Sequence, residues 1–245
     1  MSDPTPPLAI DYAWARPDPA AIRAAGYTAV LRYLSADPTK NLSAAEAAAL
    51  LEAGLGIGLI WETTAQRSQS GAEAGAADGE AAVAQARALG FPAGGLLLAN
   101  LGDFAAAAAD LAEIHDYYYA FRRVPRFVYQ PGGYGTGWLI DQLVAAGAIG
   151  VWWQNAMDDQ GVSGSVVSQH ASIYQRVTPS RAIAGSQAAD FDEDVYGFGP
   201  AEPAWWLPAP VAPPPPPPPP APAPVLVSAE LVGTYSDGST RTLSL

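Results

Sequence analysis

The chain has 245 residues, 49% hydrophobic and 15% charged, the balance of a globular protein of one large or two small domains. It has no cysteine, which excludes disulfides, thiolate metal sites and cysteine nucleophiles, and its formal charge of −12 sets it against nucleic-acid phosphates. With only His115 and His170, no H-E-x-x-H pair and no G-x-S-x-G elbow, zinc- and serine-hydrolase chemistries lack their residues, and nothing argues for a bound metal or cofactor.

Met1-Ser-Asp-Pro-Thr-Pro-Pro7 has no basic run leading into an apolar core, so no secretory signal is expected. No stretch nears the ~18 uninterrupted apolar residues of a membrane helix. Strand one is expected over Leu8–Trp14, followed by a helix with Asp18 as N-cap, Pro19 at its first position and Gly26 as stop. Strand two covers Thr28–Leu34, and the capping box Ser43-Ala-Ala-Glu46 opens a helix that closes at Gly54. Strand three is Ile57–Glu62 with a long helix between Gly71 and Gly90. Strand four is Leu96–Asn100 with a helix from Asp103 to Arg122, and strand five is Arg126–Gln130 with a helix over Tyr134–Ala146. Ile149–Gln154, Ala171–Arg176 and Ala189–Val195 are strand-like with no convincing helix between them.

Eight strands, the first five each followed by a helix, predict an α/β protein of TIM-like (β/α) barrel type over residues 1–199. An open doubly wound sheet is the alternative, and eight strands would make it unusually wide. Gly133-Tyr-Gly135-Thr-Gly137 has the wrong spacing for a dinucleotide loop and reads as a tight turn.

Fourteen of the 24 prolines lie between Pro200 and Pro224, eight of them consecutive from Pro213. Residues 200–224 are therefore expected to be a polyproline II linker, with Pro213–Pro224 spanning roughly 35 Å. A spacer fits better than an SH3-type ligand, because no basic anchor flanks the prolines. Residues 225–245 read as a β-hairpin around Asp237-Gly238. A lone hairpin is marginal in water, so this tail is expected to bind a protein partner or self-associate.

In a β/α barrel the working face lies where strands run into the following loops. The strand ends bring Asp11 with Tyr12, Tyr33, Trp61 with Glu62, Asp103, Tyr129, Trp153 with Gln154, Gln175, and the alternating Asp190, Asp192 and Asp194. Acids suit proton transfer or oxocarbenium stabilisation, and aromatic faces and amides suit sugar rings. Asp11 has little structural excuse in an apolar strand, whereas Asp103 also fits as the N-cap of the fourth helix. Trp152 and Trp153 point oppositely, so at most one faces the barrel centre.

Asp11-Tyr12, Arg32-Tyr33-Leu34, Trp61-Glu62-Thr63-Thr64, Tyr174-Gln175-Arg176-Val177-Thr178 and Phe191-Asp192-Glu193-Asp194-Val195 resemble the actinobacterial and phage glycoside-hydrolase-like domains related to Chalaropsis-type lysozymes, the N-acetylmuramidases. The resemblance covers residues 8–199. It implies five β/α units followed by three strands lacking helices, and a groove for peptidoglycan-like glycan. Carried onto this chain, it implies catalytic acids at Asp11, Glu62, Asp103 and Asp192, with Tyr12, Tyr33, Trp61, Tyr129, Trp153, Gln154 and Gln175 as substrate-binding residues. Strand four departs from the family pattern: Ala99-Asn100-Leu101-Gly102-Asp103 stands where an Asp-x-Asp or Asp-x-Glu pair is expected, which sets Leu101 in place of the first acid. A glycan-binding barrel with weak or absent hydrolysis, displayed on a phage virion or similar assembly through the proline stalk, is the expectation. An active muramidase is the alternative. Neither nucleic acid nor membrane is an expected partner, and an extracellular or virion location would be reached without a signal peptide.

Overall fold

A computed structural model describes residues 6–104, 106–156, 167–176, 179–208, 230–234 and 236–244. Eight strands close into a barrel in sequence order: β1 (Leu8–Tyr12), β2 (Ala29–Leu34), β3 (Gly56–Trp61), β4 (Leu96–Asn100), β5 (Gln130–Gly135), β6 (Val151–Gln154), β7 (Ala171–Arg176) and β8 (Asp192–Tyr196). Helices α1 (Pro19–Ala24), α2 (Ala44–Glu52), α3 (Gly71–Ala88), α4 (Leu111–Arg123) and α5 (Gly137–Ala145) follow the first five strands, as the chain pattern predicts. The Asp18 carboxylate accepts from the Ala21 N–H and the Ser43 hydroxyl from the Glu46 N–H, so both predicted caps form.

Strands β1 to β7 pair in parallel, but β8 runs antiparallel to both β7 and β1. An antiparallel return needs no crossover helix, and β7 and β8 are joined without an α-helix among the described residues. It also inverts β8: its first residue, Asp192, stands level with the last residues of the parallel strands, paired directly with Asp11.

Strand five lies later than predicted. Pro125–Phe127 forms a 3-10 turn, and Gln130–Gly135 is the strand. Its glycines are strand residues because their neighbours leave no room: a Cβ at Gly132 would overlap the Val151 carbonyl, and one at Gly133 the Leu101 side chain. The expected tight turn at Gly133–Gly137 is therefore strand followed by the start of α5.

Side chains alternate across the barrel wall. Leu31, Ile60, Leu96, Leu98, Val151, Trp153 and Ile173 fill the interior. Ile10, Val30, Leu59, Leu97, Leu101 and Trp152 face the helices, where they meet Ile22, Leu50, Val83, Ile114 and Phe121.

The start of the proline-rich segment belongs to this packing. Trp206 and Ile57 exchange backbone hydrogen bonds of 2.8 and 3.0 Å, and the Leu96 N–H reaches the Ala204 carbonyl at 2.7 Å. Trp205 lies beneath the barrel, where a Cβ at either Gly56 or Gly58 would come within 2.9 Å of it, and its ring meets Tyr196 edge-on at 4.9 Å. The compact unit accordingly runs to Ala209, past the position 199 that composition suggests. The expected polyproline run Pro213–Pro224 lies outside the described residues. In the second unit β9 (Glu230–Thr234) pairs antiparallel with β10 (Thr240–Ser244), the expected hairpin. Among the described residues no helix is long and apolar enough to cross a membrane.

Candidate active site

The parity that fills the barrel interior continues to its upper end. It turns inward Asp11 from β1, Tyr33 from β2, Glu62 just past β3, Asn100 from β4, Tyr134 from β5, Gln175 from β7 and Asp192 from β8. Asp11 is buried, and accepts from the Tyr33 hydroxyl at 2.8 Å on one oxygen and from the Gln175 amide at 2.9 Å on the other. The same amide nitrogen reaches Asp192 at 3.3 Å, while the Gln175 oxygen accepts from Tyr134 at 2.9 Å. Burial, and then the charge of Asp192, push the Asp11 carboxyl up to about 7 against the pull of its two hydrogen bonds. Desolvation on its inner side and the charge of Asp103 raise Asp192 as well.

One layer below, Asp194 is fully buried. It accepts from the Trp153 indole at 2.8 Å, and its second oxygen has no partner among the described residues. Burial and then the charge of Asp11 raise it well above the usual carboxylate range, against the pull of the Trp153 hydrogen bond. Glu62 is paired with Lys40, whose ammonium lies 4.3 Å over the Tyr33 ring. Above this layer a cavity of about 380 Å³ opens, lined by Asp11, Tyr12, Trp14, Tyr33, Phe191 and Asp192 among others.

A family model described as Rv2525c-like, glycoside hydrolase-like domain matches residues 20–196. The chain belongs to this family. The matched span begins after β1, so Asp11 lies just outside it. No curated protein sequence matches the chain. Among solved structures, the Tat-secreted protein Rv2525c of Mycobacterium tuberculosis, in complex with L-tartrate, is similar at 22% identity and TM-score 0.70, with 83% of this chain and 100% of that one covered. The lysozyme of Streptomyces coelicolor is similar at 12% identity and TM-score 0.53, over 81% and 95% of the two chains. The endolysin ply40 of Listeria monocytogenes phage P40 is similar at 12% identity and TM-score 0.54, over 79% and 94%. At these identities the likeness is one of fold, a barrel of the same kind in all three.

Of the residues expected at the mouth of this Rv2525c-like domain, the structure gathers Asp11, Tyr33, Glu62, Gln175 and Asp192. Asp103 is exposed on the loop after β4, where its charge is felt at Asp192 and Tyr134. It is not a helix cap, since α4 begins only at Leu111. Tyr12 lines the cavity, but its ring lies under the Arg32 guanidinium at 4.2 Å, on the helix side of the wall. Trp153 is inside the barrel but below the mouth.

Three residues are elsewhere. Trp61 is buried among the side chains facing the helices, and Gln154 turns to the Ser168 N–H, which it accepts at 2.7 Å. Tyr129 precedes the true β5 and packs near the barrel's lower end against Phe91, 5.5 Å between centroids, because the strand was expected several residues too early. Its place at the mouth is taken by Tyr134.

The strand-four departure also moves. Leu101 is 1% exposed and faces the helices, so it does not stand in the groove. The inward position is Asn100, whose side-chain oxygen accepts from the Gly102 N–H at 3.0 Å and whose buried amide nitrogen has no partner among the described residues. Strict alternation along Leu96–Asn100 is the signal that identifies Asn100, and the same alternation along Gln130–Gly135 identifies Tyr134.

Proposed function

We propose that the barrel mouth binds a cell-wall glycan of peptidoglycan type with weak or absent hydrolysis. The observation that carries this reading is Asn100, an amide at the inward end of β4, among acids that are already engaged. Tyr33 and Gln175 occupy both oxygens of Asp11, and Lys40 neutralises Glu62. Cleavage of a glycosidic bond ordinarily uses one protonated and one ionised carboxyl ~5–9.5 Å apart, both free to face the bond. An amide neither donates a proton at neutral pH nor stabilises an oxocarbenium charge as a carboxylate does. What remains suits recognition: a cavity with aromatic walls and convergent hydrogen-bonding groups. The lysozyme and endolysin relationship of the fold supports the ligand class, as does the similar autolysin LytC of Streptococcus pneumoniae, solved in complex with a synthetic peptidoglycan ligand.

One feature favours the second reading, an active muramidase using Asp103 with Asp11 or Glu62. Burial and the charge of Asp192 raise the Asp11 carboxyl to about 7, the direction a general acid needs.

The proline-rich segment and the C-terminal hairpin extend the reading to a barrel held out from a virion or comparable assembly. A two-stranded hairpin that is a unit of its own is marginal without a partner.

Incubation of purified actinobacterial sacculi with wild type and Asp11→Asn, followed by mass spectrometry of the soluble fraction and assay of the pellet, tests the choice. Binding of both proteins with no released muropeptide is the expected result. New reducing ends released by wild type and lost in the variant would establish the muramidase instead.

A further inference from the structure

The cavity beside Asp11 has a wall that the paired-acid chemistry leaves unused. Trp14, just past β1, is 65% exposed and lines the same 380 Å³ cavity as Asp11, Asp190 and Asp192. An indole this open at a cavity edge presents a flat apolar face, the surface on which the apolar side of a sugar ring stacks. Its surroundings are fixed, with the Lys40 ammonium 5.4 Å from its centroid and Asp37 against its indole.

The charged side chains lining the cavity are all acids. The neighbouring cations are already committed: Lys40 to Glu62, and Arg16 to Glu46 and the carbonyls of Ala13 and Ala15. Asp103 adds negative charge that reaches Asp192. A sugar carrying a carboxylate would be repelled here, and a neutral N-acetylated sugar would use the indole face but bring no countercharge to Asp190 and Asp192. An ammonium group on a ring stacked against the indole would meet the carboxylates of Asp190 and Asp192 as a charge-assisted hydrogen-bond donor.

We infer that the cavity beside Trp14 takes a hexosamine unit with a free amine, a de-N-acetylated position of the glycan, stacked on Trp14 with its ammonium facing Asp190 and Asp192. The inference rests on the glycan reading above and names the sugar chemistry that the site selects.

The test compares co-sedimentation on three preparations of the same sacculi: native, chemically de-N-acetylated, and de-N-acetylated then re-acetylated with acetic anhydride. Affinity is expected to rise about tenfold on de-N-acetylation and to fall back on re-acetylation. Asp192→Asn should lose the preference, Trp14→Ala should weaken binding to all three, and Trp14→Phe should restore most of it. Trp14 lies at the surface, so its replacement leaves the core intact. Glucosamine oligomers should compete and oligolysine of equal charge should not. Equal binding to all three preparations, with the protein still pelleting, would overturn this inference and leave the glycan reading standing. Competition by oligolysine as strong as by the sugar would overturn it too, as would an unaffected Trp14→Ala. Failure to pellet on any preparation would remove the glycan reading and this inference together.

Discussion

Asp11 and Asp192 face each other across the antiparallel β1–β8 seam, and one amide nitrogen, that of Gln175, bonds to both at 2.9 and 3.3 Å. A single donor between two carboxyls stabilises their ionised forms only in part, and burial weighs against a second negative charge. The charge of Asp192 accordingly adds to burial in raising Asp11. Reversal of β8 alone creates this relationship: with a parallel β8, Asp192 would stand at the opposite end of the barrel.

These raised carboxyls make stability depend on pH. Because Asp11 is raised from 3.8 to about 7, the folded chain holds that proton more tightly than the unfolded chain does. The stability this contributes is complete below the ordinary value and is lost as pH rises through about 7, and Asp192 and Asp194 act in the same direction. Chemical denaturation across this range should show stability declining with pH. Asp11→Asn should flatten the decline and be the more stable protein on the alkaline side, by on the order of 2–4 kcal/mol, with the Gln175 amide turned over to accept.

Restoring an acid to strand four should work at one position and fail at its neighbour. Asn100→Asp places a carboxyl inward at the mouth and is expected to raise muropeptide release from sacculi, read by mass spectrometry. Leu101→Asp buries a charge among the side chains facing the helices and should cost about 3–5 kcal/mol in urea unfolding with no gain in release. Equal behaviour of the two variants would contradict the inward assignment of Asn100.

The segment after β8 should prove part of the barrel's stability. A chain ending at residue 199 loses Trp205 and Trp206, whereas one ending at residue 208 keeps them. The shorter chain, and Trp205→Ala in the full one, should each unfold with about 3–5 kcal/mol less stability, since an aromatic is removed from between Gly58 and Tyr196. Thermal melts of the two truncations decide it.

Deletion of residues 225–245 should lower the mass of the particle in light scattering, or abolish incorporation into its assembly, while the barrel's melting temperature stays the same. An unchanged mass together with unchanged incorporation would refute an attachment role for the hairpin.

The chain order of strands and helices was legible because hydrophobic period and capping are local: Asp18, Ser43 and Glu46 act within one helical turn. Asp11, Tyr33, Glu62, Gln175 and Asp192 were legible because they lie in or beside segments that read as strands, although β1 ends at Tyr12 and not Trp14, and β8 opens at Asp192 and not Ala189. The barrel's closure, the antiparallel sense of β8 and the place of strand five were decided by tertiary packing. Arg126–Gln130 has the better strand composition, yet Gln130–Gly135 is the strand, because Val151, Leu98 and Leu101 close in on Gly132 and Gly133 from neighbouring strands. A one-residue difference in register reverses every side chain: alternation along Leu96–Asn100 already singles out Asn100 over Leu101, whereas Tyr134 in place of Tyr129 follows only from where β5 lies. By itself the sequence determined which segments become strands and helices and which acids end them. The tertiary structure decided which of those side chains share the barrel mouth, because inward or outward direction depends on the neighbouring strands against which each one is packed.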